Sequence, residues 1–307
     1  MPTLLITGAT GFVGTHVTRE AKLRQTGLRL MSHRRPPSCP DLRAIPADLA
    51  DPASLRGVCD GVDILIHCAS QIGGTAEANE AVNARGTAAL VAEARRAGVS
   101  RIVHLSTASV YGRGTFRGSR AEELTRNPRS PTSLTRAAAE DAVLCAGGIV
   151  LRPHLVYGEG DAWMVPGLAR ILRALPGSVG GWRSRTSVIG VPDLARLLVA
   201  TALAPAADLT ASVYHAAHPE PVTVDALLRA VAACTSTPWP ERELTADQAR
   251  AVLKENGQSA SALDMLTTDH FFDSAPIWSD LCSDPGERFD VDFPNVAPWY
   301  RKALQAC

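Results

Sequence analysis

Thr3-Leu4-Leu5-Ile6-Thr7 runs directly into Gly8-Ala9-Thr10-Gly11-Phe12-Val13-Gly14, and a helical pattern, Gly11–Leu23, begins inside that turn. An apolar strand, a turn with three evenly spaced glycines and a helix in immediate succession leave few folds open to a chain. The glycines permit a tight turn and close backbone approach, and the helix N-terminus offers unpaired N–H groups and a partial positive charge to a pyrophosphate. Gly8, Thr10, Gly11, Phe12, Val13 and Gly14 are therefore the expected cradle of a dinucleotide. The spacing alone is a weak signal; between a strand and a helix it is a strong one.

The first half of the chain continues the pattern. Apolar runs at Leu28–Ser32, Asp63–Cys68, Arg101–Ser106 and Ile149–Arg152 alternate with helical stretches at Ala76–Ala97 and Pro131–Ala146. That alternation predicts an α/β fold, a doubly wound parallel Rossmann sheet with helices on both faces. The dinucleotide-binding domain is expected over residues 1–155. Beyond it, helices near Val165–Leu175, Val191–Ala204, Val224–Cys234, Ala246–Asn256 and Val296–Ala306, broken by Pro/Gly-rich turns, predict a smaller, mostly helical substrate region over 156–307, with some segments returning to the sheet domain. The arginine-bearing stretch Arg113–Arg129 reads as a solvated loop, and there is no internal repeat or low-complexity segment.

Composition narrows the function. A net charge of zero argues against nucleic-acid or anionic-membrane binding. The charge is uneven, with a basic excess before residue 150 and an acidic excess after it. This suits an anionic ligand held by the first half, or is drift in surface composition. The seven cysteines are odd in number and contain no C-x-x-C, so neither a disulfide framework nor a metal site is signalled. No run approaches the roughly 18 to 20 apolar residues of a membrane span. Met-Pro-Thr leads straight into a strand without a signal-peptide pattern, which predicts a cytoplasmic protein, monomer or homodimer.

Further landmarks lie in register behind the glycine turn: Asp48-Leu49, His67-Cys68-Ala69-Ser70, Asn83-Ala84-Arg85-Gly86-Thr87, Ser106-Thr107-Ala108-Ser109-Val110-Tyr111-Gly112, Leu151-Arg152-Pro153, Val156-Tyr157-Gly158, Val191-Pro192-Asp193-Leu194-Ala195 and Val213-Tyr214-His215. Together they resemble the extended short-chain dehydrogenase/reductases, the NAD-dependent epimerase/dehydratase group. The resemblance implies that Asp48 and Leu49 meet the adenine, that Cys68, Ala69 and Ser70 follow the cofactor backbone, and that Pro153 and His154 lie beside the nicotinamide. Many members carry an acidic residue for the ribose hydroxyls at the end of the second strand. Here that position falls at Arg34, between His33 and Arg35. Guanidinium groups bind a 2′-phosphate that a carboxylate would repel, so NADPH is the expected cofactor.

The family's catalytic pair is a Tyr and a Lys four residues later, in which the Lys lowers the phenol pKa and a Ser or Thr orients the substrate oxygen. Thr107 supplies the hydroxyl. Aligning the family's downstream Glu with Glu140 puts Thr132 at the Tyr position and Arg136 at the Lys position. A slipped register does not recover the pair: only Lys22, Lys254 and Lys302 exist, and Thr115, Asp161, His218 and Leu304 stand four residues beyond the four tyrosines. Arg136 suits ribose hydroxyls as a donor, whereas a threonine hydroxyl is essentially non-acidic at neutral pH. Three explanations remain. Another group donates the proton, with His154, Tyr111 or a water on Ser109 or Thr132 as candidates; the substrate itself accommodates the charge; or the fold binds dinucleotide without turnover.

Most of the aromatic residues, including all five Trp, lie beyond residue 150. Trp163 and Trp182 are the expected aromatic walls of a substrate pocket shared with Ser109, Tyr111, Ser133 and His154. Counting back from Asp193 to the position where nucleotide-sugar members carry an Arg gives Thr186, which weakens a sugar-nucleotide substrate. The expected activity is NADPH-dependent reduction of a carbonyl on an aromatic, polyketide-like molecule such as an angucyclinone or quinone, with substrate-assisted hydride transfer. A nucleotide-sugar ketoreductase or epimerase and a catalytically silent NADP(H) sensor are the alternatives.

Overall fold

The computed structural model describes residues 1–33, 42–258 and 260–305. β1 (Thr3–Thr7) passes through the glycine turn into α1 (Phe12–Lys22), followed by β2 (Gly27–Ser32), β3 (Arg43–Pro46) and β4 (Ile64–His67). A continuous helix then comprises α2 (Ala76–Asn79), a π-wound segment at Glu80–Gly86 and α3 (Thr87–Arg96). β5 (Arg101–Leu105), β6 (Phe116–Ser119), α4 (Pro131–Cys145) and β7 (Ile149–Arg152) complete the first half. Beyond it come β8 (Leu155–Tyr157), α5 (Met164–Ala174), β9 (Gly177–Val179), β10 (Arg185–Thr186), β11 (Val188–Gly190), α6 (Val191–Leu203), β12 (Val213–His215), β13 (Val222–Thr223) and α7 (Val224–Thr235). The chain ends with β14 (Arg242–Leu244), α8 (Ala246–Glu255), α9 (Ala260–Thr267), β15 (His270–Phe272), α10 (Ala275–Asp280) and α11 (Phe289–Gln305).

Seven strands form one parallel sheet in the order β12-β7-β5-β4-β1-β2-β3. Leu4 and Ile6 of β1 pack with α1 and α6 on one face, and Leu5 packs with α3 and α4 on the other. A strand covered on both sides has no polar face, which is why β1 reads as an unbroken apolar run. The chain moves outward from β1 to β3 and then returns to β4 on the opposite side. The strand order therefore reverses between β1 and β4, and their C-terminal ends open a crevice there.

Two expectations need correction. Arg113–Arg129 is not simply a solvated loop, because Phe116–Ser119 is β6, the edge of a second sheet ordered β13-β10-β15-β6. Phe116 packs against Tyr111 and Phe272, which draws the strand onto β15. The last helix begins at Phe289 rather than near Val296, with Pro294 and Pro298 inside it. The charge asymmetry also has a structural use. Arg19–Glu159 (3.2 Å), Arg113–Asp264 (3.8 Å), Arg117–Asp269 (2.7 Å) and Arg120–Asp273 (3.3 Å) each join a first-half arginine to a second-half carboxylate. Exposed pairs of this kind are individually worth about 1 kcal/mol or less, so they orient the two regions more than they stabilise them.

Candidate active site

The crevice begins at the glycine turn. Gly8 has φ +68°, and a Cβ there would stand 2.7 Å from the Ala69 nitrogen. A Cβ on Gly14 would run into the Gly8 carbonyl oxygen, so both positions require glycine. Among the described residues no side chain caps α1, which leaves the N–H groups of its first turn available to an anion. These features fit the pyrophosphate of a dinucleotide. The cleft above them encloses about 350 Å3 and is lined by Gly8, Thr10, His33, Asp48, Leu49, Ala69 and Ser70, all expected there. Gly86 is pressed against the Leu49 backbone, where any side chain would clash, and this fixes how closely the π-wound helix approaches the Asp48–Leu49 side of the cleft. His33 Nε2 lies 3.0 Å from Asp48 Oδ2 across that end. Arg34 and Arg35 lie outside the described residues. Gly160 rests on the Phe12 ring and His16 Nε2 meets the Glu159 carbonyl at 2.9 Å, so the loop before α5 roofs the start of α1. Val13 is half-buried beneath, packed against the sheet core.

At the other end of the crevice, Thr107 and Ser109 sit on the turn after β5, with Ser109 N donating to Thr107 Oγ1 at 3.2 Å. The Ala108 N–H donates to the Pro153 carbonyl at 2.8 Å, which brings the Thr107 turn alongside His154. Thr132 is committed elsewhere: its hydroxyl donates to Asn79 Oδ1 at 2.9 Å. Arg136 is buried, with Nη2 donating to the Leu105 carbonyl at 2.7 Å and Nε without a partner among the described residues. Burial lowers its guanidinium to about 10, against the pull of Glu140. Cys68 lies nearby, its thiol raised to about 12 by burial against the opposing charge of Arg136. Burial also lowers His154 to about 3, with His270 and His215 acting in the same sense, so His154 is neutral at physiological pH.

Three residues expected to touch substrate belong to the interior. Tyr111 is 2% exposed, and its hydroxyl lies 2.7 Å from both His215 Nε2 and Arg152 Nη1. Ser133 is buried in the capping box of α4, accepting from the Ser130 N–H at 3.0 Å. Trp182 is 1% exposed within the core of the C-terminal region, where Phe289, Phe293 and Tyr300 also pack. The aromatic excess beyond residue 150 is thus mostly core. Trp163 differs, standing 60% exposed where the Asp161 carboxylate caps α5 beside the roof loop.

Sequence reasoning missed the asparagines. Asn83 Oδ1 accepts from the Gln71 N–H at 2.7 Å and its amide donates to the Gln71 carbonyl at 2.9 Å, holding the loop after β4. Asn79 Nδ2 donates to the carbonyls of Gly73 (2.8 Å) and Thr75 (2.9 Å). Asn83 stood in a sequence landmark, but nothing local marked Asn79 as the partner of Thr132. Among the described residues, no group of three or more His, Cys, Asp or Glu could hold a metal, and no helix is long and apolar enough to cross a membrane.

A parallel sheet with a glycine cradle at its switch point and hydroxyls at the end of β5 defines a dinucleotide-dependent enzyme class. Residues 4–217 match the NAD dependent epimerase/dehydratase family, and the chain belongs to that family. It is 30% identical over 263 residues to a 2-alkyl-3-oxoalkanoate reductase of Stenotrophomonas maltophilia, covering 79% of this chain and 78% of that protein. Over 184 residues it is 28% identical to a 4-hydroxy-2-methyl-3-oxo-4-farnesyl-3,4-dihydroquinoline-1-oxide ketoreductase of Stigmatella aurantiaca, covering 55% of this chain and 54% of that one. The fold is similar to that of the Bordetella bronchiseptica enzyme WbmH in complex with NAD+, with a TM-score of 0.78 at 19% identity over 98% of this chain and 99% of that one.

Proposed function

We propose that this chain, an enzyme of the short-chain dehydrogenase/epimerase type, is an NADPH-dependent ketoreductase acting on a carbonyl of an aromatic, polyketide-like molecule such as an angucyclinone or quinone. The observation that carries this reading is the Thr132–Asn79 hydrogen bond, which commits the hydroxyl standing where relatives have an acidic phenol. A bound nicotinamide dinucleotide supplies hydride to the carbonyl carbon. The glycine turn and the first turn of α1 would hold the pyrophosphate, and the sequence His33-Arg34-Arg35 would supply the cations for a 2′-phosphate. Arg136 would donate to the nicotinamide ribose, and Thr107 and Ser109 would orient the carbonyl oxygen. None of these hydroxyls is acidic enough to protonate a forming alkoxide, and neutral His154 is a weak acid. A carbonyl conjugated to a quinone, or hydrogen-bonded to its own phenol, spreads the charge as an enolate or phenolate and takes its proton from water afterwards.

Two relatives described as reductases of oxo compounds support this reading, one of them acting on a dihydroquinoline oxide. Exposed Trp163 offers a flat apolar surface beside the roof loop. Free thiols at Cys59, Cys68, Cys145, Cys234 and Cys282 support a reducing cytoplasm. The test is an NADPH-fluorescence titration followed by a carbonyl screen. Saturable binding, with NADPH oxidation by quinones and hydroxylated aryl ketones, is expected. Thermal stabilisation by UDP-glucose with no oxidation of NADPH by any of these carbonyls contradicts the proposal.

A further inference from the structure

Behind the Thr107 turn, a buried run of hydrogen bonds has a direction fixed by donor rules. Arg152 has only donors; Nε and Nη2 pair with Glu140 Oε1 (2.9 Å) and Oε2 (2.5 Å), and Nη1 donates to the Tyr111 oxygen at 2.7 Å. The Tyr111 hydrogen is then directed to His215 Nε2 at 2.7 Å. Nε2 is therefore unprotonated, and the proton sits on Nδ1, which donates to the Asp273 carbonyl at 3.2 Å. At the opposite end the Ser106 hydroxyl donates to Glu140 Oε1.

The placement of this run ties it to the site. Ser106 and Tyr111 bracket the turn that carries Thr107 and Ser109, and Arg152 directly precedes Pro153 and His154. Asp273 follows β15 in the C-terminal region. We propose that Tyr111 and His215 are positioning residues that latch the Thr107–Ser109 turn to Asp273, so that the site hydroxyls are held for substrate only while this latch is made. The inference rests on the reading that those hydroxyls face the substrate carbonyl. A purely packing role would be served by Phe and Leu, since burying a polar pair brings a desolvation cost that only a specific geometry offsets.

The latch requires neutral His215. The groups facing it are Tyr111, Arg152, His154 and the Asp273 backbone and carboxylate, and it shares a small surface pocket with Arg120 and Glu122. Burial lowers His215 to about 4, opposed by the Asp273 carbonyl and helped by Arg152, so the latch is intact at neutral pH.

The experiment compares wild type with Tyr111→Phe, His215→Leu and His215→Asn. Asn keeps both an acceptor for Tyr111 and a donor for Asp273. The readouts are hydrogen exchange of the peptide spanning residues 106–112, NADPH affinity, and kcat and KM with 9,10-phenanthrenequinone. Tyr111→Phe and His215→Leu are expected to speed exchange in that peptide and to lower kcat about tenfold, with NADPH affinity within about twofold of wild type. His215→Asn should recover both protection and kcat. Unchanged exchange in Tyr111→Phe, or an Asn variant as impaired as Leu, overturns the latch. If wild type turns over no carbonyl, the proposed activity fails, while the exchange comparison still decides whether the latch exists.

Discussion

Thr132 Oγ1 donates to Asn79 Oδ1 at 2.9 Å, joining the start of α4 to the end of α2. The same asparagine holds the carbonyls of Gly73 and Thr75, so one side chain ties the loop after β4 to the start of α4. Asn79→Ala should release that loop. The expected result is a several-fold rise in KM for a quinone substrate, a smaller change in kcat, and a stability loss of about 1 to 3 kcal/mol from buried groups left unpaired. Steady-state kinetics and urea unfolding check it.

Gly14→Ala places a methyl group against the Gly8 carbonyl and must displace the phosphate turn. NADPH affinity should fall at least about tenfold while far-UV circular dichroism stays unchanged, because the contact lies at the turn and not in the sheet core.

The proposed preference for NADPH rests on the residues that follow β2 in the sequence. His33 pairs with Asp48 at 3.0 Å, and Arg34 and Arg35 follow it in the sequence. Arg34→Asp combined with Arg35→Ala should reverse or abolish the preference for NADPH over NADH in a paired titration. Unchanged affinity for both cofactors would remove the arginines from the cofactor site.

Acid should destabilise the fold. Burial lowers His67 and His154 to about 3 and His215 to about 4, against 6.5 for ordinary histidine. The native chain keeps them neutral, while the unfolded chain takes up protons below pH 6.5. Their stability contribution is therefore complete above that pH and declines as pH falls towards 3 to 4, at about 1.4 kcal/mol per pH unit for each fully contributing histidine. Asp193, raised to about 6 by burial against the pull of Arg196, acts in the opposite sense and favours the fold most below pH 3.8. Three histidines outweigh one carboxyl, so urea midpoints should fall between pH 7 and pH 5; a midpoint that rises over that interval contradicts the assignment.

The cofactor half was legible because its signals are local. A glycine turn between strand and helix, and apolar runs buried on two faces, declare themselves in a few adjacent residues. Legibility ended where contacts join distant segments. Tyr111, Ser133 and Trp182 have the chemistry of ligand-contacting residues, but Arg152 and His215 claim the first, a helix cap the second and the C-terminal core the third. β6 was hidden because Arg117 within it and Arg120 just after it look solvated until Asp269 and Asp273 are brought beside them. The absent Tyr-Lys pair needed no structure, being a property of the whole sequence. That Asn79 occupies Thr132 required the fold.

The proposed carbonyl reduction uses no enzyme acid at the position of the family's phenol. It is tested most directly by single-turnover NADPH oxidation with 9,10-phenanthrenequinone in wild type and Thr132→Ala. Rates within about fivefold of each other are expected, since an essential general acid is worth about 100-fold to 10,000-fold. A loss of about a thousandfold at Thr132, with NADPH affinity intact, would contradict it.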